Sequence, residues 1–103
     1  MKYNVKYTDD ALIDIERVYD EVFTACLDKA TTKDYLNGLL EKIKSVFDFP
    51  ESGAPLCFGK RQTEYRYVIF KSYIAFYHLY NGTIFIDRVL YAKSDYIKTL
   101  KIK

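Results

Sequence analysis

Residues 85–96 read FIDRVLYAKSDY and set an acid beside a base, Asp87 and Arg88, inside an otherwise apolar run that closes on Tyr91, Lys93, Asp95 and Tyr96. Two chemistries fit such a stretch. Charges within an apolar strand can satisfy one another as an ion pair, and tyrosines with a lysine can donate protons or hold an anion. The chain's one histidine, His78, lies seven residues upstream. Histidine is the side chain that changes charge near neutral pH, but a lone strand histidine is more often a packed or surface residue than a catalyst.

Charge is unevenly shared along the chain. Residues 1–52 carry seven Lys/Arg and eleven Asp/Glu, whereas residues 53–103 carry nine against three, so a net charge of +2 divides into −4 and +6. The basic half also holds Tyr65, Tyr67, Tyr73, Tyr77, Tyr80, Tyr91 and Tyr96. Cations interleaved with aromatic rings can attract a polyanion and stack on bases. The same composition also suits a β-sheet whose tyrosines fill the core and whose lysines keep the surface wet.

Several function classes fall away. Half of the 103 residues are apolar and 17% aromatic, far from the composition of a disordered chain. That length supports one hydrophobic core, hence a single domain over residues 1–103. No apolar run approaches the roughly 20 residues of a membrane-crossing helix. The opening MKYNVKY lacks the apolar stretch of a signal peptide, so a cytoplasmic protein without membrane attachment is expected. Cys26 and Cys57 form no CxxC pair, and one histidine cannot complete a zinc site with them, so no metal and no cofactor are expected.

Elements must position the chemistry. Residues 2–7 alternate Tyr3, Val5 and Tyr7 with Lys2, Asn4 and Lys6, the period of a strand with one wet face. Thr8 then suits a helix N-cap, and Asp9 and Asp10 favour the positive helix end. A helix is expected to about Leu27, with Ala11, Ile15, Val18, Tyr19 and Val22 in one apolar stripe. A second helix, capped by Thr31 or Thr32, carries Leu36, Leu39, Leu40, Ile43, Val46 and Phe47 and ends before Pro50. Residues 49–63 hold both prolines and two of the four glycines and read as one long loop. Strands follow over about 65–70, 72–80 and 83–91, the last two joined by Asn81-Gly82, a strong hairpin signal.

A two-residue turn at Asn81-Gly82 fixes register: Tyr80 opposite Thr83, Leu79 opposite Ile84, Tyr77 opposite Ile86 and Ala75 opposite Arg88. Leu79, Tyr77, Ala75, Ile84, Ile86, Arg88 and Leu90 then share the face expected to lie under the helices. Tyr80, His78, Phe76, Ile74, Phe85, Asp87, Val89 and Tyr91 share the other. An arginine entering a core needs an acid, and Asp14 or Glu16 on the first helix can supply it. The expected fold is α+β, in the order β-α-α-β-β-β, with a helical hairpin on one face of a mainly antiparallel sheet and the other face left for solvent or a partner.

This order of elements carries more specific marks. TDDALIDIERVYDEV, the loop P-x-x-G-x-P-L at residues 50–56, the arginine-led strand at Arg66, Y-I-A-F-Y at residues 73–77 and I-D-R-V-L-Y-x-x-x-D at residues 86–95 together resemble the RelE/ParE superfamily of toxins from bacterial toxin–antitoxin modules. The resemblance covers nearly the whole chain. It implies a toxin that arrests growth of its own cell until a cognate antitoxin binds, in a complex that can be of higher order. RelE-like members are ribosome-dependent endoribonucleases that cut mRNA, and ParE-like members inhibit DNA gyrase.

Cleaving RNA through its 2′-OH needs a base, an acid and cations at the phosphorane. For a nuclease, the resemblance directs attention to Arg66, His78, Tyr91, Lys93 and Tyr96. For nucleic-acid or target binding it points to Lys60, Arg61, Arg66 and Lys71. Two positions depart from the nuclease pattern. Ile74 stands where nucleases commonly carry arginine, and Tyr91 where related sequences have histidine; a tyrosine, with an ordinary pKa of about 10, makes a poor general base. Arg66 and Arg88 match arginine positions of ParE-like sequences, with Arg66 expected to reach a ligand and Arg88 to anchor the first helix. The gyrase branch is slightly favoured. The antitoxin is expected to lay a helix or strand across the helical hairpin and a sheet edge.

Overall fold

The computed structural model describes residues 3–102. Its elements are β1 (Asn4–Tyr7), α1 (Asp9–Cys26), α2 (Lys29–Lys44), a 3-10 turn (Pro50–Ser52), β2 (Ala54–Phe58), β3 (Arg61–Phe70), β4 (Tyr73–Tyr80), β5 (Thr83–Tyr91) and α3 (Tyr96–Thr99). One sheet runs in the order β1-β5-β4-β3-β2, with β1 parallel to β5 and every other pair antiparallel. The α+β class holds. Of the expected first strand, Lys2 lies outside the described residues.

The helix ends follow elementary capping rules. Thr8 Oγ1 accepts from Ala11 N, as expected. Leu27, at φ 53°, closes α1 in the left-handed conformation, its N–H donating to Phe23 O. The chain therefore re-enters helix after only two residues, Leu27 and Asp28, and Asp28, rather than Thr31 or Thr32, caps α2. Its carboxylate accepts from Ala30 N and from Thr31 Oγ1. The Thr31 bond, then the Ala30 bond, holds that carboxyl below the usual range. Thr32 sits inside the helix and donates to Asp28 O at 2.8 Å.

The expected loop over residues 49–63 contains a strand. β2 pairs with β3 through a hairpin at Gly59-Lys60, where Gly59 takes φ 65°. Pro55 hides the strand from a periodicity reading, yet a proline is tolerated here because β2 is an edge strand.

The hairpin between β4 and β5 matches expectation at its turn, with Asn81 at φ 50° and Gly82 at 75°. Tyr80 faces Thr83, Leu79 faces Ile84 and Tyr77 faces Ile86, but a bulge between Phe76 and Tyr77 then sets Phe76 opposite Arg88 and Ala75 opposite Val89. The expected pairing of Ala75 with Arg88 is corrected. One extra residue, Asp87, flips the alternation beyond it, so Val89 joins the helix-side core and Leu90 the opposite cluster.

Polar groups of α1 hold this bulge. β1 reaches only as far as Ile86, so beyond it β5 lacks a neighbouring strand on that side. Thr8 Oγ1 donates to Asp87 O at 2.9 Å, Val89 N donates to Asp14 Oδ2 at 2.9 Å, and Arg17 Nη2 donates to Val89 O at 3.3 Å. Side chains of the helix thus satisfy backbone groups that a strand would otherwise pair.

Between the helices and the sheet lie Ala11, Val18, Leu36, Leu39, Ile43 and Val46 against Tyr73, Ala75, Tyr77, Ile84, Ile86 and Val89. The other sheet face was expected to be open. Instead Leu56, Ile74, Phe76 and Leu90 are covered by the C-terminal segment through Tyr96, Ile97, Leu100 and Ile102. Three apolar residues in the spacing Y-I-x-x-L give that segment a side to bury.

Candidate functional site

His78 and Asp87 form the one close acid–histidine pair among the described residues, with His78 Nδ1 and Asp87 Oδ2 2.6 Å apart. An ionised carboxylate only accepts, so the contact places the proton on Nδ1 and leaves Nε2 as the ring's acceptor when the imidazole is neutral. Phe85 stacks on the imidazole at 5.1 Å and Tyr65 meets it edge-on at 6.1 Å. Burial pushes the Asp87 carboxyl above its ordinary pKa, and the His78 hydrogen bond works against that rise. Sequence reading placed both residues on one face without pairing them; their shared face in the hairpin register was the available signal.

Arg88 Nε and Nη2 donate to the Asp14 carboxylate at 2.7 and 3.0 Å. Asp14 is 1% exposed and also receives Arg17 Nη1 at 3.1 Å. Glu16 is exposed on α1. The acid and base of FIDRVLY therefore do not pair with one another: Asp87 goes to His78 and Arg88 to Asp14.

Arg66 lies under the helix-side loop rather than in open solvent. Its Nη1 donates to Gly53 O at 2.9 Å and Glu51 O at 3.2 Å, while the neighbouring Tyr77 hydroxyl donates to Pro50 O and accepts from Gly53 N. Together they pin the 3-10 turn to the sheet. A Cβ on Gly53 would fall 2.1 Å from that hydroxyl, so only glycine fits.

The remaining candidates disperse. Lys60 and Arg61 are exposed at the β2–β3 turn. Lys71 sits at the opposite end of β3 with φ 51°, its ammonium 5.0 Å from the Tyr35 ring centre and 5.4 Å from that of Phe70. Such a cation–π contact steadies the turn. Tyr91 is 44% exposed and edge-on to Tyr73, Lys93 is exposed in the following turn, and Tyr96 packs on Phe76 at 5.2 Å.

Register measures the dispersion. His78 pairs with Phe85 and Tyr73 with Tyr91, and five residues of strand separate those rungs by about 17 Å. His78 therefore shares no reaction centre with Tyr91 or Lys93. Ile74, 6% exposed, lies in the apolar cluster with Leu56, Phe76, Leu90 and Leu100. No group of three or more His, Cys, Asp or Glu able to hold a metal occurs among the described residues.

An apolar groove lies elsewhere, where α1 and α2 meet the end of β1. It encloses about 530 Å³ and is lined by Tyr7, Leu12, Ile15, Leu40 and Phe47, with Glu41 and Lys44 also in its lining. Leu12 and the adjoining Ile13 are 52% and 60% exposed. Among the described residues, no helix is long and apolar enough to cross a membrane.

The fold has solved counterparts. The chromosomal ParDE toxin–antitoxin system from P. aeruginosa includes a chain that superposes with a TM-score of 0.74 at 16% identity, over 89% of this chain and 98% of that one. A chain of the RelBE2 toxin–antitoxin complex from Mycobacterium tuberculosis gives 0.54 at 18% identity, over 88% and 99%. Sequence comparison with curated proteins gives no match. The profile of the ParE toxins of type II toxin–antitoxin systems, parDE, spans residues 5–96. By that match, which takes in α1, α2 and all of the sheet but the start of β1, the chain belongs to the ParE toxin family.

Proposed function

We propose that this chain is a cytoplasmic toxin that arrests growth by binding DNA gyrase, that it performs no RNA cleavage, and that a cognate antitoxin neutralises it. The observation that carries the reading is the placement of Ile74. Where the nuclease pattern calls for a phosphate-holding arginine, an aliphatic side chain is buried in an apolar cluster beneath the C-terminal segment. Nuclease chemistry needs a base, an acid and cations around one phosphorus; here His78 and Arg66 line one cleft, while Tyr91 and Lys93 lie at the other end of the sheet. A protein-binding mode asks for none of this. The groove at Leu12, Ile15, Leu40 and Phe47 suits an apolar helix of the antitoxin, and the outer edge of β1 suits an added strand.

A second reading rests on one observation, the His78–Asp87 pair, whose geometry is that of an oriented general base. Expression from a tight promoter, with mRNA ends and plasmid supercoiling followed in the same cells, separates the two. Blocked supercoiling with intact message is expected. Codon-phased cleavage on ribosomes would replace the gyrase reading with the nuclease one. Absence of both effects would leave an inactive antitoxin-binding module.

A further inference from the structure

Phe49 stands in water although its side chain is that of a core residue. At 73% it is the most exposed aromatic among the described residues. Its backbone is nonetheless held. Pro50 follows it and keeps it out of helical geometry, at φ −135° and ψ 78°. Phe49 O accepts from Ser52 N at 2.9 Å, closing the 3-10 turn. Four further hydrogen bonds tie the loop to two residues of the sheet, Tyr77 at Pro50 O and Gly53 N, and Arg66 at Glu51 O and Gly53 O. Connecting loops are usually mobile. Here a buried tyrosine, an arginine and a glycine that admits no Cβ fix a loop that holds a phenylalanine in solvent.

The surroundings of Phe49 are acidic. Asp48 and Glu51 flank it in the chain, and both are exposed. Beside Pro50 opens a cleft of about 180 Å³, lined by Glu51, Glu64 and Leu79, and Leu79 is 42% exposed. Asp48, Glu51 and Glu64 take part in none of the ion pairs among the described residues. Arg66, the cleft's fixed cation, is turned onto the loop carbonyls. The loop therefore presents an aromatic knob beside an apolar notch, with carboxylates around both.

We propose that Phe49 is the anchor by which the toxin grips a folded protein target, its ring entering an apolar pocket whose rim is basic. The inference rests on the reading that the toxin acts by binding a protein. An aromatic held in place before binding loses little freedom on docking, which is what gives a few aromatic residues most of the energy of an interface. A knob needs a concave receptor, and only a folded partner offers one. The antitoxin's helix or strand is convex and suits the groove at Leu12 and Leu40 instead. Charge narrows the partner further: carboxylates beside the ring repel a phosphate backbone and complement a cationic rim.

The test uses the full chain and its Phe49→Ala, Glu51→Lys and Phe58→Ala variants, the last a control at an exposed aromatic of β2. Supercoiling by purified gyrase is titrated with each. Inhibition should need at least about 30-fold more Phe49→Ala than parent chain, at least about fivefold more Glu51→Lys, and the parental amount of Phe58→Ala. If the parent chain itself leaves gyrase untouched, the gyrase reading fails alone, and the same ranking is sought in the induced toxin level that arrests growth. Parental potency of Phe49→Ala in both assays would overturn the anchor. Thermal unfolding of Phe49→Ala should match the parent, because the ring is in solvent. Should it unfold early, Glu51→Lys decides, since its backbone carbonyl still accepts from Arg66; parental potency there would overturn the proposal equally. Phe47, two residues earlier, lines the antitoxin groove, so neutralisation is titrated as well. A Phe49→Ala toxin that kept its potency and escaped the antitoxin would place Phe49 in the antitoxin's surface and refute the assignment to the target.

Discussion

Asp14 Oδ2 receives two donors from consecutive residues of β5, Arg88 Nε at 2.7 Å and Val89 N at 2.9 Å. One buried carboxylate thereby neutralises an arginine and satisfies a backbone N–H that the bulge leaves without a strand partner. Removing one member of a buried ion pair strands the other and costs about 3–5 kcal/mol, so Asp14→Ala should destabilise the fold by that order. Asp14→Asn keeps an acceptor for Val89 N and should cost distinctly less. Urea unfolding of the two variants decides; equal losses would show that the backbone bond contributes nothing.

The Tyr77 hydroxyl and Gly53 form a second tie. Tyr77 is 1% exposed, and its oxygen both donates to Pro50 O and accepts from Gly53 N. Tyr77→Phe leaves a buried N–H and a carbonyl without their partner, at a cost of about 1–3 kcal/mol. Gly53→Ala should do more harm, because its Cβ would meet the hydroxyl at 2.1 Å and ring carbons at 2.8 Å. Thermal unfolding that ranks Gly53→Ala as the milder change would contradict this account of the loop.

How far the sequence spoke depended on whether the determining contact was local. The N-cap at Thr8, the extent of α1 and the Asn81-Gly82 turn rest on side-chain and φ preferences within a few residues, and each was legible. β2 was not, because Pro55 breaks its pattern and its pairing with β3 is needed to make it a strand. The bulge at Asp87 was invisible for a different reason: its stabilising groups, Thr8, Asp14 and Arg17, lie more than 70 residues away in sequence. That one slip moved Val89 and Leu90 to faces opposite those expected. Of the candidate site, the pairing of Arg88 with an acid of the first helix follows from the cost of a buried charge. The separation of His78 from Tyr91 needed the register of the finished sheet.

A pH dependence follows from Asp87. Its folded-state pKa is raised above the ordinary 3.8, with burial as the main cause. As pH climbs past that ordinary value the unfolded chain releases this proton first, so the unfolded state binds fewer protons and stability falls until the folded-state carboxyl also ionises. Relative to Asp87→Asn, which cannot ionise, the wild-type chain should therefore be most stable below about pH 3.8 and lose that advantage as pH rises through the raised value. Paired urea titrations across this range test the sign; a wild-type advantage that instead grew with pH would mean that attraction to His78 outweighs burial.

Docking of the antitoxin in the groove at Leu12 and Leu40, as proposed, predicts that neutralisation can be separated from toxicity. Both side chains line it, and they are 52% and 36% exposed in the chain by itself, so a charge there leaves the internal core intact. Replacing an apolar contact of this size at an interface core removes about 1.5–3 kcal/mol of burial, which corresponds to roughly a 10- to 150-fold weaker complex. Leu12→Glu and Leu40→Glu should therefore fold with near-normal thermal stability, still arrest growth, and escape the antitoxin at levels that silence the parent. Co-expression over a range of antitoxin induction reads this directly. Variants that remained toxic yet were neutralised at the parental dose would place the antitoxin elsewhere, with the edge of β1 the next surface to test.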